Sequence, residues 1–416
     1  MKKSGTKFRP TLLEPRRISN FTIIESAIRG KPSGRQKGDM IKNIERKKSV
    51  LDSRKESPKI LKQRSAGLGR RSFLKRLGVG ASLLPVGGLL GGRAVASDFG
   101  FSRLSRGDAA ILRFLAAAEI LETDLWQQYN ELALGNPAFQ QGLFALDGDM
   151  PTYVNQNTRD EMSHAQFINA YLVSKGRDPV SLEDFRTLPG SQATGANPSA
   201  LRLTSLMNLT VDTSWYSRYR GTGNPDFGDS FPQIVDLVNV PAIPNGDLAV
   251  GSDAAQVIAN TAGFHFATIE QGGSSLYASF LPKADSAEVI RIIAAIGGTE
   301  IQHFEVWQDK AGNAPPVPAD TGTLFPQLPI APDQAADGID PSDPIDTNQI
   351  MARPCKFISA NLPLCSVIRP TLTANAGAVA AATGLTNSGL FSGQSRQFFN
   401  TLFNLAEQAD AARRGF

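Results

Sequence analysis

Histidine, cysteine and long hydrophobic runs are all scarce in this chain of 416 residues, which holds 3 His and 2 Cys. The weakly apolar, glycine-rich stretch at residues 77–92 is shorter than the roughly 20 residues a membrane-spanning helix needs, so no stable span is expected. Positive charge is scarce too, once position is considered. Residues 1–96 hold 24 Lys and Arg against 6 Asp and Glu, leaving 19 against 33 for residues 97–416. The whole chain is formally +4, yet the body after residue 96 is −14. Such a body repels phosphate instead of releasing its counterions, so composition excludes nucleic acid as an expected partner. Length and a 41% hydrophobic content leave room for one large domain or two ordinary ones.

The basic excess has a local explanation. Arg70-Arg71-Ser72-Phe73-Leu74-Lys75 closely resembles the twin-arginine export motif, and residues 77–92 follow it, then Arg93 and the small-residue site Ala94-Val95-Ala96. The expectation is a signal peptide at 70–96, read by the twin-arginine translocation machinery and removed after Ala96, with a periplasmic or secreted product. Residues 1–69 are polar, basic and poor in aromatics, which reads as disorder or as a mis-set start with Met40 as an alternative beginning.

Beyond the signal, hydrophobic spacing predicts two helical pairs around a long irregular insert. The first helix spans 108–134, with Ile111, Leu115, Ala118, Leu125 and Leu132 at helical spacing and Gly135-Asn136-Pro137 as its stop. The second runs from Pro151 to Lys175, with Gly176 placed to end it. Residues 177–250, rich in Gly, Pro, Asn and Ser, read as a crossover with a short helix around 201–219. A third helix follows Ser252-Asp253 and reaches Leu281; a fourth begins at Asp285, in capping-box spacing with Glu288, and ends near Gly312. Pro-rich residues 313–345 read as a linker or wrapping arm, and 398–411 as one more amphipathic helix.

The chemistry lies on the four helices. Asp160-Glu161-Met162-Ser163-His164 falls inside the second and Thr299-Glu300-Ile301-Gln302-His303 inside the fourth. A Glu and a His three apart share a helix face, so both can reach one metal from one side. The first and third helices each offer a lone carboxylate, Glu119 seven residues before Trp126 and Glu270 seven before Tyr277. Leu125-Trp126 and Leu276-Tyr277 occupy equivalent places, the mark of an internal duplication. With 14 Glu in the chain, two of three His would follow a Glu at this spacing by luck in roughly 0.3% of such sequences, so coincidence is disfavoured.

One Glu from each of two helices plus Glu-x-x-His from each of the other two is the ligand set of ferritin-like di-iron and di-manganese carboxylate proteins. Residues 97–312 accordingly resemble the ferritin-like superfamily, and the export signal and insert resemble its secreted, desiccation-related branch. The resemblance implies an all-α fold: a ferritin-like four-helix bundle with a long irregular crossover insert (177–250) and a Pro-rich C-terminal extension (313–416). It also implies two iron or manganese ions held by Glu119, Glu161, His164, Glu270, Glu300 and His303, with Glu161 and Glu300 bridging. Hard oxygen and imidazole donors suit those metals over soft-ligand ones.

Oxidase or peroxide-related chemistry in oxidative or desiccation stress is the functional expectation. A non-catalytic envelope protein using the bundle as scaffold is the alternative. The donor set does not choose among reactions or metals.

Four other features carry expectations. Glu122, one turn beyond Glu119, is the alternative ligand on the first helix. His265 lies about 140° around its helix from Glu270, so it reads as a buried hydrogen-bonded histidine. Gly272-Gly273 costs about 2 kcal/mol inside a helix, which a close approach or a bulge beside the site would justify. Finally, Cys355 and Cys365 are expected to close a small disulfide loop after export.

Overall fold

The computed structural model describes residues 104–215, 218, 222–318, 325, 352–367 and 376–415. The expected leader and signal peptide, and nearly all of the Pro-rich arm, lie outside them. The described residues are mostly helical, with seven α-helices and two short two-stranded ladders. None of these helices is long and apolar enough to cross a membrane.

Helix α1 (Arg106–Gly135) is capped by Ser105, whose Oγ accepts from the Asp108 N–H at 3.0 Å. The Asn136 N–H then closes on Leu132 O, while its side chain accepts from the Phe139 N–H and caps α2 (Pro137–Leu146). Pro137 therefore starts a helix here as well as stopping one, and α2 is an element that sequence reading missed. Helix α3 (Met150–Ser174) has Pro151 in its first turn and is followed by Gly176 at φ +67°, a left-handed position open to glycine.

Ser252 caps α4 (Asp253–Phe280) and Ser286 caps α5 (Ala287–Gly312). The expected cap at Asp285 is displaced by one residue. Buried Asp108 accepts from the backbone N–H groups of Asp285 and Ser286, at 2.8 and 3.0 Å, pinning the α4–α5 turn to the start of α1. Helix α1 packs along α3, and α4 along α5.

The 177–250 segment is ordered by a few buried anchors. Asp124 on α1 takes the Leu203 and Thr204 N–H groups at 3.0 and 2.9 Å and pairs with Arg186 at 2.6 Å. Within the range expected to hold a short helix, Trp215 and Arg218 are helical, but Leu209–Val211 form strand β1, which pairs antiparallel with β2 (Leu237–Val240). Its alternating burial, with Leu209 and Val211 inward and Thr210 half-buried, is a strand pattern too short to read from periodicity.

The C-terminal region folds back on this insert. Ser205 N–H donates to Leu390 O and Thr210 N–H to Ser388 O, both at 2.8 Å. A second ladder pairs β3 (Pro354–Cys355) with β4 (Cys365–Ser366). Helix α6 (Ala378–Asn387), also missed from sequence, has no side-chain cap of its own. The carboxylate of Asp410, at the end of α7 (Arg396–Asp410), accepts from its first N–H groups instead.

The expected disulfide is not formed. Cys355 and Cys365 face each other across β3–β4, but both thiols are free, one buried and one exposed.

Candidate metal centre

Helices α1, α3, α4 and α5 each turn acidic side chains inward. Glu119 comes from α1, Glu161 and His164 from α3, Glu270 from α4, and Glu300 and His303 from α5, and all six are buried. Their donor atoms fall into two groups, Glu119–Glu161–His164–Glu300 and Glu161–Glu270–Glu300–His303, with the atoms of each group within 4.8 Å of one another. Glu161 and Glu300 belong to both. His164 Nδ1 lies 3.3 Å from Glu119, 3.1 Å from Glu161 and 3.4 Å from Glu300. His303 Nδ1 lies 3.1 Å from Glu161 and 3.3 Å from Glu270.

Carboxylates crowded around two imidazoles set this cluster apart. Among the described residues, Glu300 Oε2 is buried with neither a hydrogen bond nor an ion pair, while Glu119 Oε2, Glu270 Oε2, Glu300 Oε1 and His303 Nδ1 meet only a neighbouring imidazole or carboxylate of the cluster, without good hydrogen-bond geometry. An unpaired buried carboxylate oxygen costs about 1–3 kcal/mol, and a cation among these crowded donors would satisfy it together with its neighbours. The buried Glu and His groups could thus hold a metal ion.

The atoms that face away from this centre are held. The Tyr277 hydroxyl donates to Glu119 Oε1. Trp307 Nε1 donates to Asn157 Oδ1 at 2.8 Å, which aims Asn157 Nδ2 at Glu161 Oε1 (2.8 Å) and Glu270 Oε1 (2.9 Å). His303 Nε2 meets Asp160 Oδ2 at 3.1 Å, leaving Nδ1 for the centre. His164 has no such outer partner among the described residues. Asn157 and Asp160 were not foreseen. Asn157 does precede Glu161 by one helical turn, and that polar stripe of Asn157, Glu161 and His164 was a legible signal.

Protonation follows from this crowding. Burial, then repulsion from Glu161, pushes the Glu119 carboxyl up to about 8. Burial, then Glu161 and Glu119, pushes Glu300 well above the usual carboxylate range, and burial also raises Glu270. Glu161 goes the other way: burial opposes its charge, but hydrogen bonds with His164 and His303 bring it to about 2. Burial likewise opposes charge on both imidazoles. Hydrogen bonds to Glu119 and Glu161 nevertheless hold His164 up to about 10, and Glu270 with Asp160 holds His303 up to about 12. Without a cation, protons neutralise the cluster, so metal binding must displace them.

The remaining expected residues sort as follows. Glu122 is half-buried and belongs to neither donor group; burial and then the carboxylates of Glu161, Glu119 and Glu270 push it well up. His265 turns elsewhere, with Nδ1 2.7 Å from the Tyr129 hydroxyl, and burial pushes it down to about 3. Trp126 stacks on Trp307 and Phe266, with centroids at 5.5 and 4.9 Å, as part of the core.

Two glycines clear space for the donors. A Cβ on Gly273 would stand 2.5 Å from Glu300 Oε2, and one on Gly297 would stand 2.8 Å from Tyr277 Cβ. Gly272 has open space around it, so close approach explains Gly273 alone. Comparison with protein-family models, with curated proteins and with solved structures finds no match for this chain.

Proposed function

We propose that this chain is an exported ferritin-like protein whose four-helix bundle holds two iron or manganese ions for redox work in oxidative or desiccation stress. One observation carries the reading: six buried donors form two groups that share two carboxylates. Four carboxylates and two neutral imidazoles make a −4 shell, which balances two divalent cations. When bound, two adjacent redox ions supply electron transfer to oxygen or peroxide.

The chain's own residues set the conditions for that chemistry. Glu161 and Glu300, common to both donor groups, would hold both ions. Asn157 and Tyr277 hold Glu161, Glu270 and Glu119 by their outer oxygens, and Asp160 orients the ring of His303. Burial excludes bulk water from the donors.

Elemental analysis of the purified chain tests the reading, with two iron or manganese ions per chain and peroxide consumption expected. A metal-replete protein inert to peroxide would favour the scaffold alternative, and a protein that binds no metal would overturn the proposal. Export has its own test. Changing Arg70 and Arg71 to Lys is expected to leave unprocessed protein in the cytoplasm, and normal export of that variant would remove the twin-arginine part.

A further inference from the structure

The insert and the C-terminal helices together enclose a space that the metal reading does not require. A cavity of about 770 Å³ lies between α1, α4, the β1–β2 ladder and helices α6 and α7. It is half-open to solvent, so a small molecule could enter it. Its volume is in the range of sites that take small organic molecules.

Its walls specify the kind of molecule. Leu121 and Leu125 of α1, Ile269 and Leu276 of α4, Leu385 of α6 and Leu402 of α7 present hydrocarbon. Among its polar groups is one connected patch: Arg218 binds Asp212 at 2.6 Å and Gln271 at 2.7 Å, and Gln233 donates to Asp212 at 2.8 Å. The guanidinium is thus neutralised by Asp212, while Asp229, Asp236 and Glu122 add further carboxyls to the lining. Among the described residues, a carboxylate, sulfate or phosphate head group would meet no uncompensated positive charge here. An uncharged hydrogen-bonding group would find both donors and acceptors.

We infer that this cavity binds an uncharged, mainly hydrocarbon molecule with one hydrogen-bonding end group, the chemistry of a medium-chain alcohol or aldehyde. The end group sits at the Asp212–Arg218–Gln271 patch and the chain lies along the leucines. The position is pointed: Gly273 lines this cavity and also touches Glu300, so a single backbone position is shared by the ligand site and the donor cluster. None of the lining residues is one of the six donors, so binding does not depend on the metal.

The test uses the uncharged fluorophore Nile red on the purified chain, displaced by 1-decanol or by decanoate. Saturable one-to-one binding is expected, with decanol effective at a concentration at least about tenfold below that of decanoate. Two filling substitutions at alanines of the wall, Ala381→Trp and Ala118→Phe, are each expected to weaken binding by about tenfold or more. Thermal melting identifies which of the two stays folded. Absence of saturable binding, displacement by decanoate as readily as by decanol, or unchanged affinity in a folded filling variant would overturn the inference.

Discussion

The α1–α3 and α4–α5 halves of the centre present the same three donors, a lone Glu and a Glu-x-x-His pair, but surround them differently. Glu161 and Glu300 make the clearest contrast. Asn157 stands one turn before Glu161 and donates to it, whereas Ile296 occupies the equivalent place before Glu300 and can donate nothing. Neither oxygen of Glu300 has a hydrogen bond among the described residues, and Gly273 makes room for Oε2. One shared carboxylate is therefore driven down to about 2 and the other well up.

The outer contacts also cross between halves: Tyr277 holds Glu119, Asn157 holds Glu270, and Asp160 holds His303. A repeated donor pattern thus yields two unequal donor groups, each drawing residues from both halves.

The comparison can be broken most severely at the shared carboxylates. Glu161→Ala or Glu300→Ala is expected to abolish both metal equivalents by elemental analysis, whereas His164→Ala or His303→Ala should remove one. Loss of a single equivalent in E161A would contradict the shared role. Next in size, Asp160→Ala is expected to weaken metal binding about 10- to 100-fold at the His303 position only, since that ring loses its outer partner. Titration calorimetry showing equal loss at both positions would erase the asymmetry.

Gly273→Ala should displace Glu300 and cost about 1–3 kcal/mol by overpacking. Gly272→Ala, with open space around it, should stabilise α4 by about 0.5–1 kcal/mol. Urea denaturation of the two variants reads this directly, and matching effects would refute the steric account.

The smallest effect expected is a pH slope in the metal-free protein. Glu119 is raised from 4.5 to about 8, so its contribution is present at low pH and is lost between those values. His164, raised from 6.5 to about 10, loses its contribution across that higher window. Glu161, lowered to about 2, keeps its contribution throughout. The melting temperature should therefore fall as pH rises from about 5 to about 9, and added metal should reverse the fall. A melting temperature that rises over that range would show that the cluster is not proton-loaded.

Local reading succeeded where a signal repeated over many residues. The long helices α1, α3, α4 and α5 carry apolar stripes and Ser caps at three of their starts, so their positions were legible to within a few residues. Elements that depend on distant partners were not. The ladder β1–β2 has only three and four residues, and α6 borrows its cap from Asp410, 32 residues away. Pro137 was ambiguous because the same residue that ends one helix can open the next.

The sequence by itself determined which donors exist and how they are spaced: Glu161 with His164 and Glu300 with His303 share helix faces because the α-helix repeats every 3.6 residues. It also placed a lone Glu on each of the other two long helices. Only the tertiary structure decided which side chain steadies each donor and which oxygens are left for a cation. Those contacts join residues 113, 143 and 158 positions apart, Asn157 to Glu270, Asp160 to His303 and Glu119 to Tyr277. Helical periodicity is a local property of the backbone, whereas contacts between helices follow from how buried surfaces pack, and no spacing along the chain encodes that directly.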